Sequence, residues 1–200
     1  MNSGIKAVVF DFDGMTYLTT QKFSDRLSKD FHLKQEDISP FFKNSFKDCQ
    51  RGKKDLKRAL NPYLLTWKLK KNIDELLDYW FEDGEINPEI IPIIKELKKK
   101  NILCILCTNN ERYRMEYLKQ HTSLQELFNL IIASYETGYL KPEREIFQTI
   151  LKKTKLKPQE ILFCDDKAEH ISALKEFGFK THQFTTIQEF KKRLNYFQKA

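Results

Sequence analysis

Two aspartates, Asp11 and Asp13, directly follow an apolar run near the start of the chain. The run, residues 7–10, consists mainly of β-branched and aromatic side chains, and Gly14 supplies a turn after it, which indicates a buried strand of a parallel sheet. Ligands of such sheets bind beyond the carboxyl ends of the strands. Residues two apart in an extended chain point the same way, so both carboxylates can converge on a reacting group there. Taken alone, the pair is more typical of a polar strand end that forms an Asx turn.

Three later strands of the expected sheet are also followed by polar residues. Singly, such residues are more often helix caps or surface groups. The carboxyl ends of parallel strands meet at one edge of the sheet, so all of them can converge on Asp11 and Asp13. Their joint occurrence at successive strand ends favours a single functional site. The additional candidates are Thr108, Asn109, Lys141, Asp165 and Asp166.

The hydrophobic pattern predicts an α/β fold. Strands that alternate with helices in the second half of the chain indicate a Rossmann-like parallel sheet flanked by helices, with right-handed crossovers. Residues 17–83 show only helical patterns, with breaks expected at Pro40 and at Asn61-Pro62, and no strand is expected there. We therefore expect a core of residues 1–16 and 84–200 and an inserted all-helical subdomain of residues 17–83. The expected strands are 7–10, 102–107, 130–133, 161–164 and 179–184, and the expected helices are 24–30, 35–43, 53–60, 64–70, 73–81, 88–100, 111–119, 124–128, 143–153, 168–177 and 186–197.

Length and composition exclude several functional classes. A chain of 200 residues with 13% aromatic residues can bury a sizeable core. No run is apolar enough to cross a membrane, and the first residues lack a signal-peptide pattern, so a cytoplasmic location is expected. The net charge of +7 comes mainly from lysines scattered among acids. Because no nucleic-acid-binding motif accompanies them, we expect no nucleic-acid partner and assign the charge to solubility and to anionic substrates.

The cysteine spacing does not predict a metal or redox site. Cys104 and Cys107 form a CxxC pattern, but both lie within one expected strand. Residues three apart on a strand face opposite sides of the sheet, so these two thiols cannot share a metal or pair. Together with Cys164, they are expected to be buried and reduced.

The strand-end motifs resemble those of the haloacid dehalogenase (HAD) superfamily. The stretches 138–147 (GYLKPEREIF) and 161–178 (ILFCDDKAEHISALKEFG) are similar to those of its phosphatases with a helical cap after the first motif. Within that group, the chain resembles α-glucose-1-phosphate phosphatases and the N-terminal phosphatase domain of soluble epoxide hydrolase. The resemblance covers essentially the whole expected core, while the insertion matches only in length and helical character. It implies hydrolysis of a small phosphomonoester, such as a sugar phosphate, through an aspartyl-phosphate.

The resemblance implies a role for each candidate. Asp11 would be the nucleophile, which is ionised at neutral pH and needs only alignment with phosphorus. Asp13 would protonate the leaving alcohol and then activate water. Thr108 and the backbone amide of Asn109 would hold phosphoryl oxygens. Lys141 would neutralise the nucleophile and the phosphate together.

The resemblance also implies a Mg²⁺ site. With Asp11, Asp165 and Asp166 ionised, Asp13 protonated and Lys141 charged, the site would carry a charge of −2. This charge would repel a phosphate dianion unless a divalent cation is bound. Asp11, the backbone carbonyl of Asp13 and one acid of the last motif would be ligands. Other family members carry a second acid where this chain has His170. Asp166 is therefore expected to bind the metal, with Asp165 behind it as a candidate partner of the lysine.

The helical insertion is expected to set substrate specificity by closing over the phosphate pocket. The candidates that would face the substrate are Tyr17, Lys47, Arg51 and Trp80. Gly52 is a candidate hinge or point of close approach. For Lys47 and Trp80, surface charge and packing are the favoured explanations.

Four other functions share part of this pattern. A dehalogenase of the same fold would need no metal and no acid at position 13. A two-component receiver domain has its paired acids on the first strand, its lysine last and no helical insertion. A phosphosugar mutase would retain both aspartates, so the sequence leaves it open. A non-catalytic binding protein remains the other alternative, although the loss of Asp13 or Lys141 would have favoured it.

Overall fold

The computed structural model describes residues 4–199, with side chains described through residue 197. Five of its strands form one parallel sheet, and two short strands form a separate antiparallel pair. The strands are β1 (Ala7–Phe10), β2 (Tyr17–Leu18), β3 (Glu85–Ile86), β4 (Leu103–Thr108), β5 (Leu130–Ala133), β6 (Ile161–Asp165) and β7 (Lys180–Gln183). The large sheet has the order β5-β4-β1-β6-β7, with the first strand at its centre.

Helices cover both faces of this sheet and also fill the segment between β1 and β4. They are α1 (Phe23–Asp30), α2 (Gln35–Pro40), α3 (Phe46–Gln50), α4 (Leu56–Thr66), α5 (Ile73–Phe81), α6 (Ile90–Lys99), α7 (Arg112–His121), α8 (Leu124–Leu127), α9 (Ser134–Thr137), α10 (Arg144–Thr154), α11 (Ala168–Glu176) and α12 (Ile187–Lys199). The expected α/β fold with a helical region inserted after the first strand is confirmed.

Each side of the central strand packs against a different set of helices. Val8 and Phe10 belong to a core with side chains of α6, α7 and α12, whereas Ala7 and Val9 face α10 and α11. All four residues are fully buried, which explains why the strand is apolar throughout rather than alternating. The parallel sheet therefore holds the residue after β1 at the middle of its carboxyl edge.

The predicted burial of the cysteines and their placement on the sheet are also confirmed. Cys104 lies in the core on one face of the sheet and Cys107 in the core on the other. These two thiols and that of Cys164 are buried and free. The CxxC pattern is therefore a consequence of packing on a two-sided strand.

The helical region has its own aromatic-rich core. Phe41 contacts the rings of Phe42, Tyr63 and Trp67, with centroids 5.0–6.0 Å apart. Aromatic pairs at this spacing add to the stabilisation from burial. A cavity of about 440 Å³ lies between this helical region and the edge of the large sheet.

Two expectations for the inserted segment are wrong. β2 lies within residues 17–83 and pairs with β3, so the chain leaves and re-enters the core as a two-stranded ribbon. Two residues are too few to show alternation in the sequence. In addition, α4 is continuous through Pro62, where two helices were expected. Asp55 caps its start, and one face buries Leu56 and Leu60, which outweighs the backbone hydrogen bond that proline cannot make.

The α-helix that was expected to break at Pro40 does end there, followed by a π-helical segment, Phe41–Ser45, and then α3. Within residues 4–199, no helix is both long and apolar enough to span a membrane. The exact domain boundaries and the cytoplasmic location stay predictions.

Gly52 offers a test of how tightly the helical region meets the core. Its φ is +67°, and an added Cβ would lie 2.4 Å from the carbonyl oxygen of Tyr135. Gly138 has a similar φ of +83° but nothing within 4 Å of an added Cβ. We expect Gly138→Ala to cost about 1 kcal/mol of unfolding free energy from backbone strain alone, and Gly52→Ala to cost at least about 2 kcal/mol more. Urea unfolding of the two variants measures this, and equal losses would contradict the close approach.

Candidate active site

The candidate residues from all four motifs meet at one edge of the sheet. Asp11 follows β1 directly, Thr108 ends β4, and Asp165 ends β6. Lys141 lies in the loop between α9 and α10. A cavity of about 440 Å³ opens at this edge and is lined by Asp11, Asp13, Thr108, Asn109 and Lys141 together with residues of the helical region.

Lys141 joins two of the carboxylates. Its Nζ lies 2.5 Å from Asp11 Oδ1 and 2.7 Å from Asp165 Oδ2, and its side chain is 1% exposed. Burial disfavours the charged ammonium, but the two carboxylates outweigh burial and raise the pKa of Lys141. The lysine is therefore held as a cation between two anions from neighbouring strands.

Asp11 is fixed by its backbone as well as by the lysine. Its N–H donates to the carbonyl oxygen of Cys164 at 2.9 Å, and Thr16 Oγ1 donates to the Asp11 carbonyl oxygen at 2.5 Å. Burial raises the pKa of the Asp11 carboxyl to about 6, against the opposing effect of Lys141. A bound divalent cation would act in the same direction as Lys141 and favour the ionised form of Asp11, because it adds positive charge at the carboxylate.

The two acids after β6 have different surroundings. Asp165 is completely buried. Its carboxylate accepts hydrogen bonds from the Lys141 ammonium and from the Lys167 N–H at 3.0 Å, and it also contacts His170 Nδ1 at 2.9 Å. Burial acts to raise the pKa of Asp165, but Lys141 and His170 prevail and lower it. Asp166 Oδ1, in contrast, is buried without a hydrogen-bond partner. An unsatisfied buried carboxylate oxygen is costly unless a cation binds it.

These acids form a compact donor set. Each of three acids, Asp11, Asp165 and Asp166, contributes one carboxylate oxygen, and these three oxygens lie within 4.8 Å of one another. Gly14, with φ +83°, passes so close that an added Cβ would lie 3.0 Å from Asp166 Oδ2. Hard oxygen donors at this spacing suit Mg²⁺.

The Asn109 side chain holds the lysine loop. Its Oδ1 accepts from the Lys141 N–H at 2.7 Å, and its Nδ2 donates to the Lys141 carbonyl oxygen at 3.0 Å. Because both ends of the amide are engaged, a ligand would meet the Asn109 backbone rather than its side chain. Thr108 Oγ1 accepts from Asn110 Nδ2 at 2.8 Å.

The four cap candidates separate into two groups. Lys47 and Arg51 line the cavity, and Arg51 forms a two-pronged ion pair with Glu143 across it. Tyr17 is instead buried and stacked on Phe12 at 4.9 Å. Trp80 stacks on Phe23 at 4.1 Å inside the helical region, in keeping with the packing role favoured for it.

Two further residues lie at the site, and the sequence pattern does not identify them. Gln50 Nε2 donates to the Asn109 carbonyl oxygen at 2.7 Å, which connects α3 to the end of β4. Arg114, in the first turn of α7, binds both carboxylate oxygens of Asp13 at 2.6 and 3.0 Å. Neither residue follows a strand, so the strand-end pattern that revealed the other candidates could not reveal them.

Comparison with known proteins identifies the family. Residues 5–178 match the model of the haloacid dehalogenase-like hydrolases. The chain belongs to this family. The resemblance to HAD proteins is thereby confirmed.

Individual HAD relatives match more narrowly. The chain is 27% identical over 119 residues to the GMP/IMP nucleotidase YrfG of Escherichia coli, a match covering 52% of this chain and 54% of the relative. It is 28% identical over 114 residues to bifunctional epoxide hydrolase 2 of Rattus norvegicus, covering 55% and 21%. The chain thus spans about half of one relative and a fifth of the other.

Solved HAD structures share the fold. A HAD family enzyme from Bacteroides thetaiotaomicron superposes with a TM-score of 0.81 at 17% identity, over 91% of this chain and 94% of that one. Another crystal structure of that enzyme, with a TM-score of 0.78, is a complex with magnesium and inorganic phosphate.

Proposed function

We propose that this HAD protein is a Mg²⁺-dependent phosphatase that hydrolyses a small phosphomonoester through an aspartyl-phosphate on Asp11. The main support for this proposal is the position of the Asp11 carboxylate, which borders the cavity while Lys141 binds its Oδ1. A carboxylate oriented by one oxygen presents the other to an electrophile. Phosphoryl transfer depends mainly on such alignment and on neutralising charge.

The residues account for each bond change. An Asp11 oxygen forms a bond to phosphorus as the ester P–O bond breaks, and Asp13 gives its proton to the departing alcohol. The Thr108 hydroxyl and the Asn109 N–H donate to phosphoryl oxygens. Asp13 then takes a proton from the water that attacks phosphorus, which releases inorganic phosphate and the free Asp11 carboxylate. Lys141 stays bound to Asp11 and offsets its charge throughout.

The donor set fits Mg²⁺. Asp11, the backbone carbonyl of Asp13 and Asp166 would hold the ion, which would stabilise the charge on the phosphoryl oxygens. The unpartnered Asp166 Oδ1 supports this assignment. Asp165 is already satisfied by Lys141, Lys167 and His170, so we assign it to the support of its neighbours.

We infer that the substrate is a small phosphorylated metabolite rich in hydroxyl groups, such as a sugar phosphate. Among the described residues that line the 440 Å³ cavity there is no Phe, Tyr or Trp on which a nucleobase could stack. Its walls instead carry polar and charged groups, including Lys47 from α3 and Lys167 after β6. The nucleotidase relative makes GMP and IMP the competing substrates to test.

A phosphosugar mutase is the alternative proposal, because it would use the same two aspartates. It requires the phosphate on Asp11 to be passed back to a sugar before water arrives. Asp13 is half-exposed at the cavity, which favours contact with water and hence hydrolysis. Mutase chemistry would give isomerised sugar phosphate with little inorganic phosphate.

The proposed activity is tested by inorganic phosphate release from sugar phosphates, GMP, IMP and pyrophosphate, with Mg²⁺ or with EDTA. We expect turnover only with Mg²⁺, a preference for a sugar or polyol phosphate, and loss of activity in Asp11→Asn, which retains the shape but not the nucleophile. Asp25→Asn, on the exposed side of α1, is the control and should retain wild-type turnover. No release from any ester by a folded, Mg²⁺-binding protein would contradict the proposal.

The two acids after β6 make a separate prediction about the metal. We expect Asp166→Asn to raise the Mg²⁺ concentration for half-maximal activity by about 10- to 100-fold, because it weakens a direct ligand. Asp165→Asn should mainly lower stability, because it leaves the buried Lys141 with one carboxylate fewer. Mg²⁺ titration of activity and thermal unfolding of both variants measure the difference. The reverse pattern would assign the metal to Asp165.

A further inference from the structure

Arg114 is enclosed by protein although its partner is not. The Arg114 side chain is 13% exposed, whereas that of Asp13 is 49% exposed. Its Nη2 donates to Asp13 Oδ1 at 2.6 Å and its Nη1 to Asp13 Oδ2 at 3.0 Å. A guanidinium that binds both oxygens of a carboxylate fixes direction as well as charge. The orientation of the Asp13 carboxyl group is thus set by a side chain of α7.

Arg114 is itself held on several sides. Its Cζ lies 5.5 Å from the ring centroid of Phe12 and 5.6 Å from that of Tyr17, within the range of cation–π attraction. Its Nη1 also donates to Asn110 Oδ1 at 2.9 Å. The Asn110 amide donates in turn to Thr108 Oγ1, so a continuous series of contacts joins Thr108 to Asp13.

We propose that Arg114 is the positioning residue for Asp13 and holds its carboxyl group in the direction from which it reaches the leaving-group oxygen. The inference rests on the phosphatase function proposed above. A carboxyl group has about four lone-pair sites, of which Arg114 occupies two, and Asn110 Nδ2 also donates to Asp13 Oδ2 at 3.4 Å. Asp13 borders the cavity in this arrangement, so a remaining site can carry the proton and present it to the leaving group of a substrate. Without Arg114, the short Asp13 side chain would keep only the longer of these contacts, the one from Asn110, and would occupy other rotamers more readily.

A purely structural ion pair is the competing explanation, and substrate choice separates the two. Loss of a structural contact lowers activity equally for every ester. Loss of acid positioning lowers kcat/KM for an alkyl phosphate, because the departing alkoxide must be protonated as it leaves. It matters little for p-nitrophenyl phosphate, whose phenolate leaves without a proton. The ratio kcat/KM reports the steps up to aspartyl-phosphate formation, so the later attack of water does not enter the comparison.

The test compares kcat/KM of wild type and Arg114→Met on p-nitrophenyl phosphate and on the alkyl phosphate that the wild type prefers. We expect a loss of about 10- to 100-fold on the alkyl ester, part of the full effect of a general acid, and about threefold or less on the aryl ester. Arg114→Lys retains a charge but cannot bind both oxygens, so its alkyl-selective loss should be intermediate. In an Asp13→Asn background, Arg114→Met should cause no further alkyl-selective loss.

Arg193→Met is the matched control. Arg193 also lies over an aromatic ring, 4.3 Å from the Phe197 centroid, and donates to the Thr181 carbonyl oxygen at 3.1 Å. It should lower stability while leaving the ratio of aryl to alkyl activity unchanged.

Equal losses on both esters in Arg114→Met, or additive losses with Asp13→Asn, would overturn the positioning role while the phosphatase activity stands. If Arg114→Met does not fold, the same ratio measured in Arg114→Lys decides, and an unchanged ratio overturns the role. A wild-type protein inactive on every ester would overturn the phosphatase function and this inference with it.

Discussion

The site depends on one buried cation between two buried carboxylates. Lys141 could not stay charged at this depth without Asp11 and Asp165, and the two acids would repel each other without Lys141. The pairing of β1 with β6 sets Phe10 beside Cys164, so the next residue of each strand brings an aspartate to the same edge. The sheet register therefore determines the distance between the acids, and the lysine compensates their charge.

The other parts of the site extend this arrangement. Asn109 binds the lysine loop through both ends of its amide, so the end of β4 holds Lys141 between the acids. Gly14 leaves room for Asp166 beside the loop after β1. The helical region reaches the same edge through Gln50 and through the ion pair of Arg51 with Glu143. Under the proposed function, substrate choice would vary with the helical region while the residues proposed to bind phosphate keep their positions on the sheet.

The sequence revealed the parts of this arrangement that follow from strand periodicity. Asp11, Thr108 and Asp165 were predictable as neighbours because parallel strands buried on both faces are apolar throughout and their first polar residues mark the sheet edge. Lys141 lies beyond α9, and it was predictable only from the order of the motifs along the chain. The opposite placement of Cys104 and Cys107 followed from the same periodicity. The continuity of α4 through Pro62 was not predictable, because tertiary packing outweighs a local helix breaker there. Arg114 was also hidden, since an arginine in a helix has no local feature that shows it will meet an aspartate 101 residues away.

The central claim is that Asp11 becomes phosphorylated. The most direct measurement is a rapid acid quench of the protein with a ³²P-labelled substrate ester and Mg²⁺, followed by peptide mapping. An acyl phosphate should appear on the peptide that contains Asp11, should be released by hydroxylamine, and should be absent from Asp11→Asn. Substrate turnover without any label on that peptide, or with label on another residue, would contradict the account.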